Sequence, residues 1–156
     1  MKRVSRQSAV EAIKAALEWI DEPVREILGG THFFTADPVA AGISPYINAS
    51  LGRSYRNTAH VLYPWHIKRP YAEKLTTVVL PTVANDEPWI VVHELGHVLD
   101  ERTGFQFDLE PVNDYAARDR EEAFAESFRL YTMKGEFGRE RIGRKACDVF
   151  DRLAQR

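Results

Sequence analysis

His93-Glu94-Leu95-Gly96-His97-Val98-Leu99-Asp100 lies inside an apolar run that opens near Pro88 and closes at Gly104. Proline in a first helical turn and glycine just past a last one are the usual helix boundaries, so a helix is expected over 89–102, capped by Asn85 or Asp86. Residues four apart on a helix are rotated by only about 40° and separated by one turn, so His93 and His97 face one point. Two neutral imidazoles at this spacing suit Zn²⁺, and Glu94 sits where its carboxylate can take a proton from water beside the metal.

Two histidines leave a tetrahedral site one protein ligand short if water keeps the fourth position. A metzincin would continue H-x-x-G-x-x-H, but Val98-Leu99-Asp100-Glu101-Arg102-Thr103 carries neither the glycine nor the third histidine. Asp100 shares the stripe of both histidines, yet it lies about 10 Å along the axis from His93, which suits a supporting carboxylate better than a ligand. Downstream, Arg120-Glu121-Glu122-Ala123-Phe124-Ala125-Glu126-Ser127-Phe128-Arg129 reads as helix, with Glu122 and Glu126 on one face. Like charges at i, i+4 repel by roughly 0.2–0.5 kcal/mol, and a nearby metal with its imidazoles turns that cost into an attraction. Glu121 is the rival, but its helical neighbours Phe124, Ala125 and Phe128 form an apolar stripe, so Glu122 is the better ligand. The competing reading of this helix is a solvated face on which Glu126 pairs with Arg129.

The segment His93–Gly104, with its H-E-x-G-H-x-x-D-x-x-x-G pattern, resembles the zinc helix of the anthrax lethal factor catalytic domain and of short gluzincin relatives such as the Pro-Pro endopeptidases. Glu122-Ala123-Phe124-Ala125-Glu126-Ser127-Phe128-Arg129-Leu130 is similar to the third-ligand helix of that family. The resemblance covers about 90–131. It implies one Zn²⁺ per chain on His93, His97 and Glu122, with Glu94 as general base and Tyr115, seven residues before Glu122, as the active-site tyrosine. It also implies that Glu126 supports one ligand imidazole, leaving open which. The implied activity is that of a zinc-dependent endopeptidase: metal-activated water attacks the peptide carbonyl, Glu94 moves the proton to the leaving amine, and Tyr115 hydrogen-bonds to the oxyanion. The substrate would be an extended peptide or protein segment aligned on an upstream edge strand. The toxin role of some members does not carry over, because a chain of 156 residues leaves no room for their delivery domains.

Outward from this centre, apolar residues at helical spacing from Ala9 to Leu28 predict a helix over 5–28, broken or bent at Pro23 and stopped by Gly29-Gly30. Short β-like runs follow at 31–35, 46–48, 59–63 and 75–80, separated by Gly, Pro, Asn and Ser. The run Leu75–Leu80, just before the motif helix, could be the strand beside a groove, but the sequence favours a buried strand. Further helices are expected over 119–133 and 139–153. The order predicts an α+β fold: an N-terminal helix, a small mostly antiparallel sheet, the H-E-x-x-H helix and two more helices.

A chain of this length, 44% hydrophobic and 28% charged, fits one domain spanning 1–156. Twenty-one Lys and Arg against 23 Asp and Glu leave a formal charge of −2, with no global field to hold a polyanion. The aromatic and basic residues of 53–71 and the stretch Arg139–Lys145 keep a DNA-associated role as a minor alternative. A non-catalytic or latent zinc-binding interaction module is the other alternative, against which Glu94 argues, because a structural site needs no base. No transmembrane run or signal peptide is read, so a cytoplasmic protein is expected. His32, His60 and His66 stand apart from the motif and receive no metal role. Cys147 reads as a small core residue.

Overall fold

The computed structural model describes residues 6–35, 59–66, 75–80 and 87–155. Among these the architecture is α+β, with five α-helices and one three-stranded sheet. None of the described helices is long and apolar enough to cross a membrane.

The N-terminal apolar series forms two helices, α1 (Arg6–Trp19) and α2 (Glu22–Ile27). Ala9, Ala12, Ala16 and Ile20 recur at helical spacing and are buried. The chain breaks at Asp21, whose ψ of 142° is extended, and Pro23 enters the first turn of α2, where its missing N–H costs no hydrogen bond. The predicted break at Pro23 therefore falls at its N-terminal side and separates two helices rather than bending one.

Strands β1 (His32–Phe34), β2 (His60–Leu62) and β3 (Thr77–Val79) form a sheet of order β1-β3-β2. β2 pairs with β3 antiparallel, setting His60 opposite Val79, whereas β1 pairs with β3 in parallel, setting His32 opposite Thr77. The sheet is thus mixed. β3 is central and fully buried, so both of its edges are taken by other strands. The run before the motif helix is accordingly the buried strand, and it has no free edge to offer a peptide. The expected strand at 46–48 lies outside the described residues, as do both candidate caps of the motif helix.

The motif helix, α3 (Pro88–Arg102), is buried at every position from 91 to 100. It closes in a Schellman turn: Phe105 N–H donates to Asp100 O at 2.9 Å and Gly104 N–H to Glu101 O at 3.0 Å, with Gly104 at φ 82°. A 3₁₀ turn, Ala116–Arg118, precedes α4 (Arg120–Met133), and α5 (Gly135–Ala154) follows almost at once. α5 starts earlier than its apolar periodicity suggests, and it is two helical segments meeting at Gly143, whose φ of 82° is not helical.

The described residues gather into two compact units. One holds α1 up to Lys14 and the three strands, with Leu62, Val78, Val79 and Leu80 buried. The other holds 15–29 and 92–155, and its core is aromatic: Phe150 meets Phe124 and Phe128 at ring distances of 5.4 and 5.6 Å. Within that unit Arg102 Nη1 donates to the carbonyls of Ile27 and Gly29, both at 2.8 Å, satisfying the C-terminal end of α2. Cys147 is buried there, its Sγ 3.4 Å from Arg139 O, in keeping with a core role.

Candidate metal centre

Every residue of the centre comes from the second unit. α3 and α4 cross where Gly96 meets Ala125: a Cβ on Gly96 would fall 2.8 Å from Ala125 Cα. Only glycine lets the two backbones approach this closely. The contact brings the His93–His97 face of α3 against the Glu122–Glu126 face of α4.

Glu122 bridges the two imidazoles. Its Oε2 is 3.1 Å from His93 Nε2 and its Oε1 is 3.1 Å from His97 Nε2, and the two rings meet nearly edge to face at 5.2 Å. His93, His97 and Glu122 form a group that could hold a metal ion, with their ligand atoms all within 4.8 Å of one another. Glu122 is the third residue of α4, and its own N–H donates to the N-cap Asp119 Oδ1 at 2.7 Å, so the cap also fixes the backbone of this carboxylate. Glu121, the rival, stands outside the group.

Glu126 meets His93, which resolves the choice that the sequence leaves open. His93 Nδ1 donates to Glu126 Oε2 at 2.8 Å, and since a carboxylate only accepts, this contact fixes the Nδ1 proton and directs Nε2 toward Glu122. Glu126 also takes a fork from Arg129: Nη2 reaches Oε1 at 2.5 Å and Nε lies 3.1 Å from both oxygens. The ion pair to Arg129 and the contact to the imidazole, opposed as alternatives in the sequence, coexist on one carboxylate. Asn113 Nδ2 adds a longer hydrogen bond of 3.4 Å to Oε1.

Charges around the imidazoles set the electrostatics. Burial opposes a charge on His93, but hydrogen bonds to Glu122 and Glu126 and the charge of Glu94 raise it to about 10. Burial also works to raise Glu122 and Glu126. The imidazole contacts overcome it in Glu122, which falls well below the ordinary carboxylate range, and His93 with Arg129 bring Glu126 to about 2. Glu94 behaves in the opposite way. It is only 6% exposed, and burial, reinforced by the charge on Glu122, holds its carboxyl above the ordinary value against the pull of both histidines. A carboxyl raised in this way beside two imidazoles can exchange a proton more readily than an exposed one.

Tyr115 lies against the centre and remains 45% exposed, its ring 5.8 Å from that of His93 and covered by the Arg118 guanidinium at 4.9 Å. Burial, the charges of Glu122 and Glu94 and a hydrogen bond to Glu122 all raise its hydroxyl, so it stays a proton donor. Asp100 is fully buried and holds a different job. Its Oδ2 accepts from Arg120 Nη2 at 2.5 Å, Arg120 also donates to Phe107 O, and Oδ1 has no hydrogen-bond partner among the described residues. Arg120 thus fastens both α3 and the segment after it to the start of α4.

Asp119, Asn113 and Arg129 are the parts of the centre that motif reading does not single out for it. Asp119 carries a detectable signal, the D-x-x-E spacing of a capping box, whereas Asn113 carries none. His32 and His60 lie on β1 and β2. Of the aromatic and basic stretch 53–71 only 59–66 is described; there Trp65, 61% exposed, stacks on Tyr63 at 4.8 Å. No protein family model, no curated protein and no solved structure matches this chain.

Proposed function

We propose that this chain is a zinc-dependent endopeptidase of the gluzincin type, resembling the lethal factor catalytic domain in its centre. The observation that carries the reading is the bridging of His93 Nε2 and His97 Nε2 by the two oxygens of Glu122, each at 3.1 Å, beside the buried Glu94. Two ligands on a tetrahedral zinc at 2.0–2.1 Å stand about 3.3 Å apart, a spacing that both carboxylate–imidazole contacts approach, while the ligand atoms as a group lie within 4.8 Å of one another. Two imidazoles and one carboxylate also leave a fourth position for water, as catalytic rather than structural zinc sites do.

Bound zinc would supply Lewis acidity, making water more acidic and the peptide carbonyl more electrophilic. His93, His97 and Glu122 would hold the ion, with Glu126 keeping His93 in the Nδ1–H form. Glu94 takes the proton from the attacking water and returns it to the nitrogen of the leaving amine. Tyr115 donates its hydroxyl to the carbonyl oxygen as negative charge develops there. Glu94 also favours this reading over a non-catalytic zinc module, since a closed structural site has no use for a buried carboxylate tuned upward.

The test pairs wild type with Glu94→Gln. Both are assayed for bound metal by native mass spectrometry and for cleavage of a proteome-derived peptide library. One zinc in each protein with cleavage by wild type alone is the expected result. Zinc in both with cleavage by neither would leave a metal-binding module, and no zinc in either would remove the metal reading altogether.

A further inference from the structure

Glu126 spends only part of its hydrogen-bonding capacity on His93. Its other contacts converge from two directions, Arg129 from the same helix and Asn113 from the segment carrying Tyr115. The Arg129 fork is the tighter of the two. Nη2 meets Oε1 at 2.5 Å while Nε spans both oxygens, so the carboxylate plane is fixed rather than merely neutralised. The pair is sheltered as well, with the Arg129 side chain 16% and that of Glu126 9% exposed. An exposed i, i+3 pair would be worth little, whereas a shielded fork holds its geometry.

Glu126 needs such a fixing agent. It shares His93 with a second carboxylate, Glu122, which meets the other ring nitrogen at 3.1 Å. Glu126 also has two free rotamer bonds beyond Cβ through which to turn away from His93. Arg129 opposes that freedom: its charge offsets that of Glu126, and its planar fork admits one orientation of the carboxylate. That orientation is the one that keeps Oε2 at 2.8 Å from His93 Nδ1.

We infer that Arg129 is a positioning residue for the metal centre, acting on the ligand His93 through Glu126. This rests on the proposed metal site but not on proteolysis. The path runs from Arg129 through the fork on Glu126 to His93 Nδ1, so the effect of Arg129 on metal binding should fall away when Glu126 can no longer transmit it.

The experiment measures zinc affinity of the full chain by competition with a chromogenic chelator, for wild type, Arg129→Met, Arg129→Lys, Glu126→Gln and the double variant Arg129→Met/Glu126→Gln. Loss of a partner that orients a ligand histidine costs about 10- to 100-fold in metal affinity, which sets the expectation for Glu126→Gln. Arg129→Met is expected to weaken zinc by about tenfold, one step further from the ion. Arg129→Lys retains the charge without the fork and should recover only part of that loss. In the Glu126→Gln background, Arg129→Met should change affinity by less than about twofold, because coupled residues fail to add. A purely structural arginine would weaken zinc equally in both backgrounds, and that result overturns the inference, as does an Arg129→Met or Arg129→Lys protein that binds zinc as tightly as wild type. If Arg129→Met does not fold, the Lys variant in the two backgrounds makes the same comparison. Wild type binding no zinc would instead overturn the metal reading itself, and zinc binding without proteolysis would overturn only the peptidase reading.

Discussion

Gly96 and Ala125 touch backbone to backbone, closely enough that a single added methyl at Gly96 would fall 2.8 Å from Ala125 Cα and 3.1 Å from its carbonyl oxygen. This contact sets the distance between the helix bearing both histidines and the helix bearing both glutamates. In an open helix, Gly→Ala gains about 1 kcal/mol. Here the clash reverses the sign, and Gly96→Ala is expected to lose about 1–2 kcal/mol net as the helices are pushed apart. Urea denaturation gives the stability, and zinc affinity measured on the same protein should fall with it. An Ala variant as stable as wild type would mean that the crossing can relax without consequence.

Asp119→Ala removes the cap that accepts the N–H of Glu122. Loss of such a cap costs about 1 kcal/mol, worth roughly 2–4 °C of melting temperature in a chain of this size. Because the capped amide belongs to the carboxylate that bridges the histidines, metal affinity should drop as well. Asp119→Asn, which keeps the acceptor oxygen, should restore both.

Arg120→Met strands Asp100, a carboxylate with no exposure and with one oxygen lacking a partner among the described residues. Breaking a buried pair by removing one member leaves an uncompensated charge, with an expected loss on the order of 3 kcal/mol. Calorimetry of Arg120→Met beside the double variant Asp100→Asn/Arg120→Met would show the second to be the more stable. The reverse order would mean that Asp100 finds another cation.

Asp151 makes the acid limb of stability testable. Hydrogen bonds from Arg139 at 2.8 and 2.9 Å and from the Tyr131 hydroxyl at 2.7 Å hold its carboxyl down to about 2, from an ordinary 3.8. A depressed carboxylate contributes stability above its unfolded value and loses it as pH falls through the folded one. The stability gap between wild type and Asp151→Asn should therefore be constant above about pH 5 and close between pH 4 and 2. A gap that persists unchanged to pH 2 would assign the contribution to packing.

Metal removal gives the last expectation. Zinc at 100 times its dissociation constant would stabilise the fold by about 2.7 kcal/mol, so a chelator should lower the melting temperature by roughly 5–10 °C. Glu122→Ala, missing the bridging carboxylate, should melt at the same temperature with and without zinc.

Those parts of the molecule that rest on local periodicity are legible in the sequence. The spacing of His93 and His97 follows from the geometry of one helix, as does the shared face of Glu122 and Glu126. Which histidine Glu126 serves depends on how two helices cross, and no pattern along the chain encodes that angle. Arg129 was visible as a partner for Glu126 but stood as the rival of the imidazole, because a pairwise reading gives each carboxylate one use. The parallel β1–β3 ladder was missed for a similar reason: short alternating runs specify strands without specifying their direction. The apolar pattern starts α5 four residues late because Gly135 and Gly138 dilute it in the first turn, and Gly143 interrupts its phase.

The centre also has an order in time. His93 and His97 emerge from the ribosome together, but the carboxylate that bridges them follows 25 residues later, or about one to five seconds at ordinary rates of synthesis. Until α4 docks across Gly96, a nascent chain offers a metal ion two imidazoles and nothing to close the third side. Under the proposed reading, the full ligand set would exist only once α4 has docked, so metal binding would report the completed fold rather than the half-made chain.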